Sequence, residues 1–317
     1  MIPRQSSLSP AILPCMKSAR LSRVLARAAF ALLLAPLTLT LPAHAQTSAP
    51  TAPLVSTYAP PRDSTVLHST FVDFDSLATS GPRQVFDNPS VAMDKVEVHV
   101  TTLAPGKESH PVHRHPWEEI IYIRSGQVDF TINGTVHHAG PGGYAFFASN
   151  DPHNARNVGT EPATYYVVNF VSDVASSAAQ ANAPSAAQQN QPGKFGSAVI
   201  DTNSLPVIAT PTGSRSVVVQ SQPTVTFLAL ETHITRLDPG KQTTPDRDPN
   251  DEVCILREGQ VEVTVNGISS RMNAGSLMYW APTDQRNFRN IGTTRASYLV
   301  IRATSDKSPR PPAPSSH

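Results

Sequence analysis

Glu97-Val-His99-Val-Thr101-Thr-Leu103-Ala-Pro105-Gly106-Lys107 returns 134 residues later as Glu231-Thr-His233-Ile-Thr235-Arg-Leu237-Asp-Pro239-Gly240-Lys241. From Glu119 onward the match continues at a spacing of 133, through Glu119/Glu252, Arg124/Arg257, Gly126/Gly259, Asn133/Asn266, Gly142/Gly275 and Asn157/Asn290. A run of this length at almost constant offset is a duplicated domain. Each copy reads as β-structure. Val96, Val98 and Val100 alternate with Glu97, His99 and Thr101, and Val261, Val263 and Val265 alternate with Glu262 and Thr264, the period of a strand with two unlike faces. Val128-Asp-Phe130-Thr-Ile132 alternates likewise and runs into Asn133-Gly134, a pair that favours a tight hairpin turn; Asn266-Gly267 repeats the turn. Short strands punctuated by turns predict a barrel or sandwich in each copy. The 30 prolines among 317 residues argue the same way, against long helices.

Composition sets the boundaries around the copies. Residues 46–63 are rich in Pro, Thr and Ala. Ser176–Gly193 has no charge, no aromatic and no aliphatic side chain larger than Ala, and Thr304–His317 is rich in Pro and Ser. Such stretches lack the apolar content to order themselves. They are read as a disordered segment (46–63), a linker (176–197) and a disordered tail (304–317), leaving domains at 64–175 and 198–303.

Residues 1–45 read as a signal peptide. Lys17, Arg20, Arg23 and Arg27 precede a largely apolar run, Ala28–Leu41, and then Ala43-His44-Ala45, the pattern of a secretory leader cleaved after Ala45. The run is too short to span a bilayer, which takes roughly 20 residues. Met16 offers a second possible start. The expectation is an exported, soluble protein, periplasmic or secreted, with no membrane partner after cleavage. Formal net charge is +1, from 25 basic and 24 acidic side chains; five of the basic ones, and none of the acidic, lie in the leader. The remainder is mildly acidic, at 20 against 24, which excludes wrapping nucleic acid by phosphate neutralisation. Two cysteines, Cys15 and Cys254, exclude a disulfide scaffold.

The chemistry is concentrated in copy one. In Gly106-Lys-Glu-Ser-His110-Pro-Val-His113-Arg-His115-Pro-Trp-Glu-Glu119, the histidines at 113 and 115 fall on one face of an extended chain. Glu119 would lie about 13 Å further along a straight strand, out of reach of a shared metal ion. Pro116 can break the strand and let the chain return Glu119 from a neighbouring one. A fourth donor, His153, follows in Gly142-Gly-Tyr-Ala-Phe-Phe147-Ala-Ser-Asn-Asp-Pro-His153-Asn-Ala-Arg-Asn157.

These two stretches resemble the two motifs of the cupin superfamily, G-x-H-x-H-x(3)-E-x(6)-G and G-x(5)-P-x-G-x(2)-H-x(3)-N. The departures are a loop one residue longer before His113, and Ala148 and Asn150 in place of the second motif's Pro and Gly. The resemblance covers nearly all of 64–303 and implies an all-β bicupin, two tandem jelly-roll-like barrels packed as an intramolecular pseudo-dimer. It implies His113, His115, Glu119 and His153 as ligands of one divalent transition metal, with Mn, Fe, Zn, Cu and Ni all open. It leaves homo-oligomerisation open too, and it does not name a reaction, because the fold hosts many.

Comparing the copies separates fold from site. Glu97/Glu231 and His99/His233 occur in both and are read as serving the fold. Counting back from Glu252, copy two has Asp246 and Asp248 where copy one has His113 and His115, and Arg286 where it has His153. No imidazole and a guanidinium make that site hostile to a transition metal, so it is read as a lost site neutralised by Arg286, ahead of the alternative of a site for an oxygen-liganded cation. His110 is read first as a solvated loop histidine, with a spare ligand or proton carrier as the alternative, His137 and His138 as exposed, Cys254 as a buried filler, and Trp280 and Phe147 as core aromatics. Ile121 and Ile123, inward by parity with Glu119, would wall the site, and Glu119 could serve as a catalytic base. Two classes of function follow: a metal-dependent enzyme, foremost an oxidoreductase of the dioxygenase type acting on a small oxygen-rich molecule, or a non-catalytic protein that binds a small ligand or metal. A cupin hydrolase, isomerase or decarboxylase stays within the enzyme reading.

Overall fold

The computed structural model describes residues 66–74, 81–180 and 191–309. The leader, the 46–63 segment and the end of the tail lie outside the described residues. In chain order the strands are β1 (Thr70–Val72), β2 (Gly81–Asn88), β3 (Lys95–Leu103), β4 (Glu118–Ser125), β5 (Val128–Ile132), β6 (Thr135–Ala139), β7 (Gly143–Phe147), β8 (His153–Asn157) and β9 (Ala163–Val171). Helix α1 (Asp173–Gln180) follows. The second copy supplies β10 (Ala198–Asp201), β11 (Ile208–Thr210), β12 (Gly213–Gln222), β13 (Ala229–Leu237), β14 (Asp246–Arg247), β15 (Asp251–Glu258), β16 (Gln260–Val265), β17 (Ile268–Asn273), β18 (Leu277–Trp280), β19 (Gln285–Asn290) and β20 (Ala296–Thr304). Among the described residues no helix is long and apolar enough to cross a membrane.

Each copy is a barrel made of one large and one small antiparallel sheet. Barrel one joins the sheet β10-β7-β4-β9-β3-β2 to β6-β5-β8, and barrel two joins β1-β18-β15-β20-β13-β12-β11 to β14-β19-β16-β17. Three apolar cores result. One fills barrel one (Val128, Phe130, Phe147, Tyr165) and another fills barrel two (Val261, Met272, Trp280, Phe288). The third lies between the large sheets: Val96, Val98, Val100 and Tyr166 pack with Leu230, Ile234, Val253 and Leu299. The alternation at 96–101 thus has an inverted meaning. Its valines face the other barrel, which leaves Glu97, His99 and Thr101 to the barrel interior.

Residues shared by both copies hold the turns. Asn157 Nδ2 donates to the carbonyls of Leu103 and Glu161 and its Oδ1 accepts from Gly159; Asn290 does the same with Leu237, Thr294 and Gly292. Gly126 has φ +87°, and a Cβ there would lie 2.4 Å from Ala163 Cα, so no other residue fits. Asn150, where the motif has Gly, adopts φ 63°, a left-handed conformation that Asn tolerates better than most residues.

The structure departs from the sequence boundaries in four places. Thr70–Val72, assigned to copy one, pairs with Leu277–Tyr279 of barrel two, and Ala198–Asp201, assigned to copy two, pairs with Gly143–Phe146 of barrel one. The copies therefore exchange edge strands. The linker, expected to be without structure from 176, begins inside α1, where Ser172 Oγ caps the Ala175 amide and alanines favour helix. The tail, expected to be disordered from 304, is held to 309: Thr304 closes β20, buried Ser305 donates to the Ala92 carbonyl, and Lys307 Nζ contacts Asp94.

Glu118, beside Glu119 but on the opposite face of β4, is buried between the barrels. Its carboxylate accepts from Thr224 Oγ1 (2.6 Å), Thr226 Oγ1 (2.9 Å) and the Val225 amide (2.9 Å) of the other copy. Burial outweighs these donors and pushes its pKa from 4.5 up to about 7. A raised carboxylate pKa means that folding takes up a proton. Its contribution is therefore fully present below pH 4.5 and is lost as pH rises to 7, by about 3 kcal/mol. Glu118→Gln is expected to remove that loss, flattening stability against pH in this window; urea unfolding from pH 5 to 8 measures it, and an unchanged slope would refute it.

Candidate metal centre

The turn at Pro116 carries the chain from one sheet of barrel one to the other. Before it, residues 108–113 run antiparallel to β8: the His113 amide donates to the His153 carbonyl (3.1 Å) and the His153 amide to the His113 carbonyl (2.8 Å). After it, β4 enters the large sheet with Glu119 opposite Phe147 and Asn169. Of the four sequence-predicted donors, His113, His115 and His153 meet as a triad at one end of the barrel, while Glu119 approaches His115 and His153 from β4 without joining that triad.

Each imidazole is oriented through Nδ1. His113 Nδ1 lies 3.3 Å from the His153 carbonyl, His115 Nδ1 2.8 Å from that of Trp117, and His153 Nδ1 2.7 Å from that of Asp151. A carbonyl oxygen only accepts, so Nδ1 carries the proton and Nε2 presents a lone pair. The His115 ring stacks on Trp117 with centroids 4.4 Å apart, and the His153 ring on Phe147 at 4.3 Å. His113, His115 and His153 each offer a ligand atom within 4.8 Å of the others. Nε2 of His115 and of His153 is buried without a hydrogen-bond partner. Buried lone pairs left unsatisfied are costly unless something fills them. Glu119 approaches both, with Oε2 3.5 Å from His115 Nε2 and Oε1 3.9 Å from His153 Nε2.

Electrostatics favour the ligand forms. Burial pulls the His153 pKa down to about 4, against the pull of Glu119, and burial followed by the neighbouring His110 and His115 lowers that of His113. Burial pushes Glu119 up, but His115 and His153 more than offset it and hold the carboxyl below its usual range. Three imidazoles and a carboxylate are a donor set that suits a divalent transition ion.

The donors open into a cavity of about 350 Å³ with Leu103, Ile121, Phe147 and Val167 among its walls. Ile123, expected beside Ile121, is buried in the barrel core and does not reach the cavity. His110, read as a solvated loop residue, instead lines the cavity half-buried, its ring edge-on to His113 at 3.8 Å. His138 is exposed and pairs with Asp129; His137 is half-buried. Glu97 and His99, read as serving the fold, point into the barrel on the side of the site. Glu97 binds Gln84 of β2, Asn169 of β9 and His99 Nδ1, while the His99 ring lines the cavity.

Barrel two has the same geometry with different charges. Arg286 occupies the place of His153, with Nη1 2.7 Å from Glu252, Nε 3.1 Å from Asp246 and Nη2 3.6 Å from Asp248. Its guanidinium sits 5.6 Å from the Trp280 ring, as His153 sits on Phe147. A second cation, unnoticed in the sequence, completes the cluster: Arg302, in register with Asn169, binds Glu252 (2.7 Å), Asp248 (3.2 Å) and Glu231 (3.2 Å). Cys254 is buried beside Glu252 in the barrel core.

The sequence profile of the cupin domain matches this chain twice, at residues 99–169 and 233–302. Over 66 residues the chain is 35% identical to a dimethylsulfoniopropionate lyase of Ruegeria pomeroyi, a match that spans 20% of this chain and 32% of that protein. Among solved structures, a putative glyoxylate-induced protein of Pseudomonas aeruginosa superposes with a TM-score of 0.60 at 15% identity, covering 81% of this chain and 97% of that one. Bacillus subtilis oxalate decarboxylase, in which Mn(II) centres are described, gives 0.55 at 15% identity over 78% and 80%. Salicylate 1,2-dioxygenase of Pseudoaminobacter salicylatoxidans gives 0.55 at 14% over 74% and 80%. With the duplicated motifs and the paired barrels, these matches establish that the chain carries two cupin domains, folded as tandem β-barrels.

Proposed function

We propose that the protein is an exported metal-dependent enzyme that holds one divalent transition ion on His113, His115, His153 and Glu119 of its first barrel. Its substrate would be a small oxygen-rich molecule, and its chemistry that of an oxidoreductase of the dioxygenase type. The observation that carries this reading is the pair of buried, unpartnered Nε2 lone pairs beside an ionised carboxylate at the end of an apolar-walled cavity. A bound ion would supply Lewis acidity and positions for chelating oxygen donors. The protein residues do the rest. Stacking on Trp117 and Phe147 fixes the imidazoles, Ile121 and Val167 limit water, and the Glu119 carboxylate is placed to take a proton from a substrate hydroxyl or acidic C–H. Three nitrogens and one oxygen suit Mn, Fe, Zn, Cu and Ni alike, and loading outside the cytoplasm would favour Zn or Cu by intrinsic affinity.

The test is oxygen uptake by metal-loaded protein with a panel of enolic, phenolic and carboxylate chelators. Glu119→Gln is expected to lower kcat by about 100-fold or more while chelator affinity changes little, because base catalysis is lost and three imidazoles persist. The likenesses to a lyase and a decarboxylase favour a second branch at the same site, marked by product without oxygen uptake. Chelator affinity with no product under any metal would instead favour a binding protein.

Export rests on the leader pattern. The mature chain is expected to begin at Gln46, and N-terminal sequencing of secreted material that found Met1 or Met16 would overturn it.

A further inference from the structure

Arg124 and Arg257 occupy equivalent positions in the two copies, near the ends of β4 and β15. Both line a cleft of about 250 Å³ between the barrels, together with Tyr122, Tyr166, Asn203 and Glu258. We propose that this cleft is a second binding site, for a small oxyanion of the carboxylate or phosphate type, gripped by these two guanidinium groups.

Each group is held in place from the partner copy's side. Arg124 lies over the Phe74 ring, its Cζ 3.7 Å from the centroid. The neighbouring Tyr166 hydroxyl donates to the Gly275 carbonyl. Arg257 donates from Nε to the Tyr122 hydroxyl (2.5 Å) and from Nη2 to Asn203 Oδ1 (3.0 Å). Arg124 also bonds the Tyr166 hydroxyl, which leaves Nη1 of Arg257 and the remaining N–H groups of Arg124 for another acceptor.

Charge balance points the same way. Among the described residues no carboxylate lies within ion-pair distance of Arg124, Arg257 or the nearby Arg236, whereas Arg215, Arg286 and Arg302 each hold one or more. Arg236, one of whose Nη atoms rests on Ser216, has its pKa lowered by burial and then by repulsion from Arg257. Glu258 is the one acidic group lining the cleft, and it is exposed. Glu258 offsets part of the repulsion between Arg257 and Arg236, and a bound anion would relieve the rest. A planar guanidinium matches two oxygens of a carboxylate or phosphate at once. The first barrel's cavity offers no such group, since its lining holds no Arg or Lys.

The experiment is calorimetric titration of the metal-free full chain with inorganic phosphate and with succinate, at ionic strength fixed by chloride. Saturable binding below about 10 mM is expected for at least one of them. Arg124→Gln, which breaks no ion pair, should weaken it at least about tenfold. Arg257→Lys should weaken it too, since charge is kept and the fork is lost. His113→Ala should leave it unchanged. The proposal is overturned by absence of saturable binding for both anions, by affinity unaltered in Arg124→Gln, or by loss of binding in His113→Ala.

Discussion

If the proposed site holds one transition ion, His153→Ala is expected to purify with less than about a tenth of the metal found in the unaltered chain. The imidazole supplies a buried lone pair fixed by the Asp151 carbonyl and by Phe147, and no other donor can enter that place from a packed barrel wall. His113→Ala should lose most of the metal as well, although His110, 3.8 Å from it, is close enough to soften the loss. Elemental analysis of the purified protein measures both. Two equivalents in the unaltered chain, or full retention after His153→Ala, would sink the assignment.

Arg286→Ala should leave that metal content unchanged and destabilise the protein by about 2 kcal/mol, the cost of leaving buried Glu252 with one of its two cations. Glu252 is buried, and although burial pushes its pKa up, Arg286 and Arg302 hold it below the usual range. With Arg286 gone, Arg302 still contacts Glu252, but Asp246 and one face of Asp248 lose their partner. A depressed carboxylate contributes stability above its unfolded pKa and loses it as pH falls through the folded value. Weakening the depression should therefore make the variant's deficit larger at neutral pH than in acid. Urea unfolding at pH 4 and pH 7 measures it. Equal stability of the two proteins at pH 7 would remove the ion cluster from the account of this barrel, and metal gained by the variant would contradict the reading of a lost site.

Much of this arrangement was legible in the sequence because the chain supplies its own comparison. Placing Glu252 over Glu119 located Asp246, Asp248 and Arg286, and the structure puts all three where that register requires. Arg302 escaped because its counterpart, Asn169, lies on β9 outside both motifs; the same register extended to the last strand would have found it. The shared pair Glu97 and His99 was read only as fold, since retention in a barrel without metal ligands argues for structure. The large sheet, however, buries its valines against the other barrel and turns its polar face inward. No periodicity in a single strand tells which of two covered faces is the inside. The edge strands β1 and β10 were misassigned for a related reason: three or four residues carry no signal of their pairing partner.

That exchange of edge strands bears on the history of the duplication. Division of the gene between the copies would leave each product with a strand belonging to its sibling and a bare flank where its own should be. Once the swap was in place, neither copy could be shed without crippling the other, whatever became of its chemistry. The second barrel stays indispensable as scaffolding whatever side chains occupy the place of the first barrel's histidines. Its retention then needs no selection for an activity of its own.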